Sequence, residues 1–389
     1  MTINDLSIAD RMRTVNPFRV MEVLRRAKEL EAQGVDVVHM EVGEPDFTTA
    51  RPIIDAAHVA LDRGLTQYSA AAGIPALREA VSAWYERCYG VKVSSRRIFI
   101  TPGASGGLNL LANLLINPGD GVLLADPSYP CNRNFIRLMG GIPQLIPVTP
   151  AQRFQPDVPL LEQHATAVTR GVWAASPGNP TGTCLAREEL ERISAWTRAR
   201  KYHLLLDEIY HGLHYRDDMP SLLQIDQGGF VVNSFSKYFG MTGWHIGWIV
   251  VPESCCEKTD ILAQNLFIAA STIAQHAALA AFEESTLEIL EQRRAEFRMR
   301  RDYLARALRE IGFGIPILTD GAFYIYADIS RFSGDSESFC RNMLEQHGVA
   351  ITPGTDFGEH DSTRFVRFAF TTGMVQLEKA VDRLRRALA

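Results

Sequence analysis

The chain has 389 residues, 46% of them hydrophobic, which is enough to bury a large core and more than a single domain usually holds. A formal charge of -5 leaves no basic face for nucleic acid or an anionic membrane. No run nears the roughly eighteen apolar residues of a membrane span, and the opening MTINDLSIADRMRTV has no apolar core of signal-peptide length, so the expected location is the cytoplasm. The cysteines (Cys88, Cys131, Cys184, Cys255, Cys256, Cys340) lack metal-type CxxC spacing and read as reduced thiols, with no metal site expected.

In chain order, residues 18 to 33 carry helical periodicity that stops at Gly34, and VVHMEV reads as a strand before a turn at Gly43 to Pro45. IPALREAVSAWYERC, with Pro75 near its start, reads as a helix. Strand and helix then alternate. RIFIT, GVLLA, PQLIPV, GVWAAS, HLLLD, FVVNS and IGWIVV are separated mostly by helical patterns such as SGGLNLLANLLI and REELERISAWTRAR. That order predicts an α/β fold with a mostly parallel sheet covered by helices on both faces. The pattern changes near residue 285: a long charged helix, AFYIYAD, a helix near 335 to 347, RFVRFAF and a last helix suggest a smaller α+β unit. Neither repeats nor a low-complexity linker marks the boundary.

Ligand sites of open α/β sheets gather beyond the carboxyl ends of the strands. SPGNPTG at 176 to 182, HLLLDEIY at 203 to 210 and VVNSFSKYFGMTGWHIGW at 231 to 248 all leave strands at that edge, so Asn179, Asp207, Tyr210 and Lys237 are expected to converge there. A lysine in a serine-flanked turn among aromatics becomes a nucleophile when desolvation lowers its pKa, although most lysines are solvated surface ammoniums. TPGASGGLNL places small residues where a helix begins. Its amides could cradle a phosphate, or it could be a tight turn with a good cap.

These motifs, from VGEPDF at 42 to 47 through VRFAF at 366 to 370, resemble in order and spacing the fold-type-I pyridoxal 5'-phosphate (PLP) aminotransferases of class I/II, the group of aspartate, alanine and aromatic aminotransferases. The resemblance spans nearly the whole chain. It implies a large PLP-binding domain over 46–284 and a smaller domain built from 1–45 and 285–389. The matching residues imply roles for this chain. Lys237 would form the Schiff base and transfer the proton, and Asp207 would pair with the ring nitrogen, where the bare sequence allows a helix cap. Asn179 and Tyr210 would hydrogen-bond the ring's phenolic oxygen, although NPTG is otherwise simply a turn. Tyr129 would stack on the ring. Gly103, Ala104, Ser105, Ser234 and Ser236 would hold the phosphate, and Tyr68 would reach the phosphate of a neighbouring subunit in a homodimer with shared sites.

RFVRFAF alternates as a strand, with Phe365, Arg367 and Ala369 on one face. Arg367 is implied as the seat of a substrate α-carboxylate, the alternative being an edge-strand charge that blocks aggregation. Gly43 would let the backbone approach the same carboxylate. One position departs from the family: eight residues after Lys237, where arginine usually pairs with the phosphate, stands His245. An imidazole offers fewer donors and loses its charge near neutrality, so weaker or pH-dependent cofactor retention is expected, unless another cation serves the phosphate.

The implied activity is a ping-pong transfer of an amino group from an L-amino acid to a 2-oxo acid. A C–S lyase or decarboxylase of the same fold is the alternative, read as sharing the loss of an α-proton and differing in the carbanion's next step. A ligand-sensing regulator on the same scaffold would carry a DNA-binding module, and no basic recognition module is seen. For the donor side chain, Ser105 supplies no cation for a second carboxylate, and Phe18 in NPFRV could line an apolar pocket or lie in the core.

Overall fold

A computed structural model describes residues 7–389. Helix α1 (Arg19–Ala32) leads to the two-residue strand β1 (Val38–His39) and helices α2 (Arg51–Asp62) and α3 (Pro75–Tyr89). Strands and helices then alternate as β2 (Ile98–Thr101), α4 (Gly103–Leu115), β3 (Gly121–Asp126), α5 (Pro130–Leu138), β4 (Ile142–Pro147) and α6 (Val158–His164). They continue as β5 (Thr169–Ala175), α7 (Arg187–Arg200), β6 (His203–Asp207), α8 (Leu222–Ile225), β7 (Phe230–Ser234) and β8 (Gly247–Val250). Helices α9 (Cys256–Leu266), α10 (Thr272–Leu279) and the long α11 (Glu284–Ile311) follow. The chain closes with β9 (Tyr324–Asp328), α12 (Ser336–His347), β10 (Val349–Ala350), β11 (Thr352–Pro353), β12 (Phe365–Ala369) and α13 (Met374–Ala387).

Seven strands form the central sheet in the order β2-β8-β7-β6-β5-β3-β4. All pairs are parallel except those made by β8, which runs antiparallel to both β2 and β7. The expected mostly parallel sheet is therefore present with one reversed strand. The segment 235–246 between β7 and β8 is too short for a crossover helix and turns the chain straight back. Both faces are covered: Leu204, Leu206 and Val231 enter one apolar core while Leu205, Val232 and Ile249 enter the other. Successive side chains on one strand thus feed opposite cores, which is why these strands read as unbroken apolar runs.

A second, three-stranded sheet has the order β11-β12-β9. Arg367 therefore lies on a central strand, which removes the edge-charge reading of that position. The expected strand VVHMEV is much shorter: only Val38 and His39 pair, in parallel with β10. Met40 N still donates to the Ala350 carbonyl of β10 at 2.9 Å, but the Met40 carbonyl accepts from Ala369 N of β12 at 2.7 Å and Arg367 donates to the Glu41 carbonyl. Lys237 takes the Gly43 carbonyl in the same way. The carbonyls beyond His39 are thus committed to another strand and to side chains, and the ladder with β10 stops after two residues.

Candidate active site

The carboxyl ends of β6 and β7 deliver the two most reactive side chains to one cavity of about 410 Å³. Asp207 is the last residue of β6, and Lys237 follows β7 by a tight turn. The turn is held from below by Phe235, whose ring lies 4.8 Å from Trp248 and 5.1 Å from Phe239. From within, Ser236 N donates to Ser234 Oγ at 3.0 Å and Met241 N to the Phe235 carbonyl at 3.0 Å. The packed aromatics fix the turn so that Lys237 faces the cavity.

Lys237 Nζ donates to the Gly43 carbonyl at 2.9 Å. Burial lowers its pKa to about 8; Arg367 adds to the lowering, while Glu44 and Asp207 oppose it. Asp207 shows the opposite displacement: burial pushes its carboxyl up to about 7, against the Ile209 N–H, which it accepts at 3.0 Å, and the charge of Lys237. No helix begins at Asp207, so the cap reading does not apply; the next is the short α8. Each charge offsets only part of the other's desolvation. The carboxylate is thus a buried anion short of a cation.

Arg367 is 2% exposed. Its Nη1 donates to Asn179 Oδ1 at 2.9 Å, its Nη2 donates to the Glu41 carbonyl and, at 3.4 Å, to Thr352 Oγ1, and its Nε has no partner. The guanidinium is sandwiched between the rings of Tyr324 and Phe357 at 4.2 and 4.7 Å. Among the described residues no carboxylate stands within ion-pair distance of it. A buried guanidinium satisfied only by neutral acceptors is a seat for an incoming anion.

Tyr210 and Tyr324 share a 2.9 Å hydrogen bond between their hydroxyls at the cavity wall. Gly43 lies so close to this pair that a Cβ on it would stand 1.8 Å from the Tyr324 hydroxyl oxygen. Across the cavity α4 opens at Gly103, whose φ of 65° is left-handed and whose carbonyl accepts from Thr101 Oγ1 at 2.7 Å. Gly247 makes this approach possible, because a Cβ there would lie 3.0 Å from Ala104 N. Ala104, Ser105, Ser234, Ser236 and His245 complete that end, the imidazole lying 3.3 Å from the place of a Cβ on Gly103. Tyr129 forms a side wall, with Phe18 edge-on to it at 6.0 Å.

The structure thus brings together every residue singled out from the sequence except Tyr68, which is 81% exposed and away from the cavity of its own chain. It adds Val20, Met21, Glu44, Leu108, Ile209 and Tyr324 to the walls. Tyr324 and Tyr326 share a face of AFYIYAD, and the pairing of Tyr326 with Arg367 puts that face beside the guanidinium. Alternation was visible in the sequence, but the partner strand was not.

The family model Aminotransferase class I and II matches residues 35–384. A valine–pyruvate aminotransferase of Mycobacterium tuberculosis is 39% identical over 95% of this chain and 96% of its own. A crystal structure of an aminotransferase from the same organism superposes with a TM-score of 0.95 at 39% identity, covering 98% and 99% of the two chains. An aspartate aminotransferase of Thermus thermophilus with maleate superposes with a TM-score of 0.94 at 32% identity, covering 98% of this chain and 100% of that one. The chain belongs to the class I and II aminotransferases.

Enzymes of this family use pyridoxal 5'-phosphate. The residues here suit that group. Asp207 is a buried carboxylate lacking a cation, which a protonated ring nitrogen supplies, and the amides at the start of α4 with the hydroxyls of Ser234 and Ser236 suit a phosphate. Among the described residues no helix is long and apolar enough to cross a membrane, and all six cysteines are unpaired.

Proposed function

We propose that this aminotransferase works by a ping-pong route in which Lys237 holds the cofactor and transfers the proton, Arg367 seats the α-carboxylate, and the amino donor carries an apolar side chain. The observation that carries the reading is the pairing of a buried, unmatched Arg367 with walls made of Phe18, Val20, Met21, Leu108 and Ile209. Lys237 and Arg367 are the only lysine and arginine among those walls, and neither is spare for a second carboxylate. A relative named for valine and pyruvate supports an aliphatic donor. Relatives named for aspartate and prephenate supply the competing reading, a dicarboxylic donor.

When bound, pyridoxal phosphate supplies a carbonyl that condenses with amines and a ring that draws electrons from the substrate Cα. Lys237, with its pKa lowered to about 8, can present a neutral amine near neutral pH, first as nucleophile and then as base toward the Cα proton. Asp207 holds a proton at the ring nitrogen. Arg367, with Asn179 and Thr352 fixing its fork, orients the donor carboxylate so that the Cα–H faces Lys237. The Tyr210 hydroxyl, joined to that of Tyr324, and Asn179 serve the ring's phenolic oxygen.

The same reading makes Tyr68 a residue of a homodimeric site, supported by its exposure outside its own cavity. It places the protein in the cytoplasm, supported by free thiols. It also divides the chain into a large unit over 46–284 and a small unit from 1–45 and 285–389, supported by the pairing of β1 with β10; residues 1–6 of that division lie outside the described ones.

The test is an absorbance spectrum of the purified protein before and after each of a panel of L-amino acids, with the keto acid assayed in the same tubes. Apolar donors should convert the bound cofactor stoichiometrically to its aminated form, and pyruvate or 2-oxoglutarate should restore it. Preferential conversion by aspartate would sink the apolar-donor reading. Release of ammonia or carbon dioxide without aminated cofactor would mark lyase or decarboxylase chemistry instead.

A further inference from the structure

Helix α1 begins without a cap of its own: Phe18 stands at the N-cap position and its side chain accepts nothing. Two of the free amides are taken instead by a carboxylate 337 and 336 residues away, since Arg19 N donates to Asp356 Oδ1 at 2.9 Å and Val20 N to Asp356 Oδ2 at 3.3 Å. Asp356 is 2% exposed, and no lysine or arginine side chain pairs with its carboxylate among the described residues. These are the only hydrogen bonds its carboxylate makes there, so its work is to fasten α1.

What α1 carries makes that attachment matter. Phe18, Val20 and Met21 all line the cavity. One residue after Asp356, the Phe357 ring lies 4.7 Å from the Arg367 guanidinium, and the Phe357 carbonyl accepts from Ser128 N at 2.9 Å. Ser128 precedes Tyr129, which meets Phe18 edge-on. A closed circuit therefore runs from Asp356 through α1, Phe18, Tyr129 and Ser128 back to Phe357. The loop itself is pinned to the large sheet by buried Asp126, which accepts from Glu359 N at 3.0 Å and His360 N at 3.2 Å. Gly358 permits the contact, as a Cβ there would lie 1.6 Å from Asp126 Oδ1.

We propose that Asp356 is a positioning residue that sets the spacing between the carboxylate seat at Arg367 and the side-chain wall on α1, and so selects donors by the size of their side chains. A single peptide link joins the residue that holds the wall to the residue that packs under the seat. The inference rests on reading Phe18, Val20 and Met21 as that wall. A donor with nothing beyond Cβ does not reach the wall; a longer one is gripped by it.

The experiment compares kcat and KM of the cofactor-loaded wild type, Asp356→Asn and Asp356→Ala over alanine, valine, leucine, phenylalanine and aspartate, with cofactor affinity measured separately by equilibrium dialysis. In Asp356→Ala, kcat/KM for leucine and phenylalanine should fall about tenfold and mostly through KM, the loss for alanine should stay within about twofold, and cofactor affinity should hold. Asp356→Asn, which keeps an acceptor oxygen, should restore part of the loss. Should Asp356→Ala fail to fold, Asp356→Asn and Phe18→Ala carry the test: both should show the same donor dependence, and their combination should cost less than the sum. An equal loss on every donor, or no loss on any, overturns the proposal. A wild-type preference for aspartate sinks the apolar-donor reading alone, and the variant-to-wild-type ratios for alanine against leucine still decide the role of Asp356.

Discussion

Asn179 Oδ1 accepts a 2.9 Å hydrogen bond from Arg367 Nη1, so the residue proposed to serve the cofactor ring also braces the residue proposed to seat the substrate. The neutrality of the amide is what keeps the guanidinium available. Asn179→Asp would place a carboxylate in contact with a buried cation that has no other anionic partner among the described residues, and the site would be internally neutralised. The expected outcome is a rise of about tenfold or more in donor KM with no loss of thermal stability. Steady-state kinetics and a melting curve on the same preparation check it; unchanged KM would show that Arg367 does not bind the carboxylate.

The lowered pKa of Lys237 predicts how the apoprotein captures its cofactor. Only the neutral amine attacks a carbonyl, and with the folded-state pKa near 8 that form is nearly complete well below the ordinary lysine range. The rate of pyridoxal phosphate capture should rise through about pH 8 and level off. A rate that keeps climbing toward pH 10 would place the amine in water instead.

Asp207 predicts a trade between stability and function. Its carboxyl titrates near 7 in the folded apoprotein against an ordinary 3.8, so the folded state holds a proton more tightly than the unfolded chain. Its stabilising contribution is therefore full below the unfolded value and is lost as pH rises through about 7. Asp207→Asn, which cannot charge, should melt higher than wild type at pH 8 in the absence of cofactor, with the gap closing toward pH 5. The same variant should lose transaminase activity by about 100-fold or more, since no anion holds the ring proton. A melting difference that is flat with pH would contradict this.

How much of this was legible in the sequence follows from how local each feature is. Asp207, Lys237, Ser234 and the start of α4 sit at strand ends within contiguous motifs, so alternation of apolar strands and polar turns was enough to place them at one edge. Arg367 could be put on a strand but not on its neighbours: whether β12 was an edge or a centre depended on β9 and β11. The early end of β1 was hidden because the carbonyls just beyond it, of Glu41 and Gly43, are claimed by Arg367 and Lys237, far along the chain. The capping of α1 by Asp356 is of the same kind. A helix start normally declares itself by a nearby Ser, Thr, Asp or Asn, and here the acceptor arrives from the far end of the sequence.

His245 faces Gly103 where the family usually places arginine, and its ring is exposed on the cavity. Guanidinium can bind a phosphate through two parallel donors, whereas an imidazole offers no such fork. His245→Arg should slow the loss of pyridoxal phosphate during dialysis by about tenfold. Retention that matches wild type would remove His245 from the phosphate site.

Gly43 offers a test of how tightly the site is packed. A methyl group there would overlap the Tyr324 hydroxyl oxygen at 1.8 Å and approach the ring carbon bearing it at 2.9 Å. Tyr324 has little room to yield, because its ring is buried against Tyr210 and stacked over Arg367. Gly43→Ala should therefore displace the 41–44 segment, which presents carbonyls to both Arg367 and Lys237, and cost about 1–3 kcal/mol of stability. Tyr324→Phe removes the oxygen that collides but leaves the ring, so the double variant should regain part of the stability and part of the donor affinity. If the two substitutions were simply additive by thermal denaturation, the collision would not be the cause, and the glycine would be serving the backbone alone.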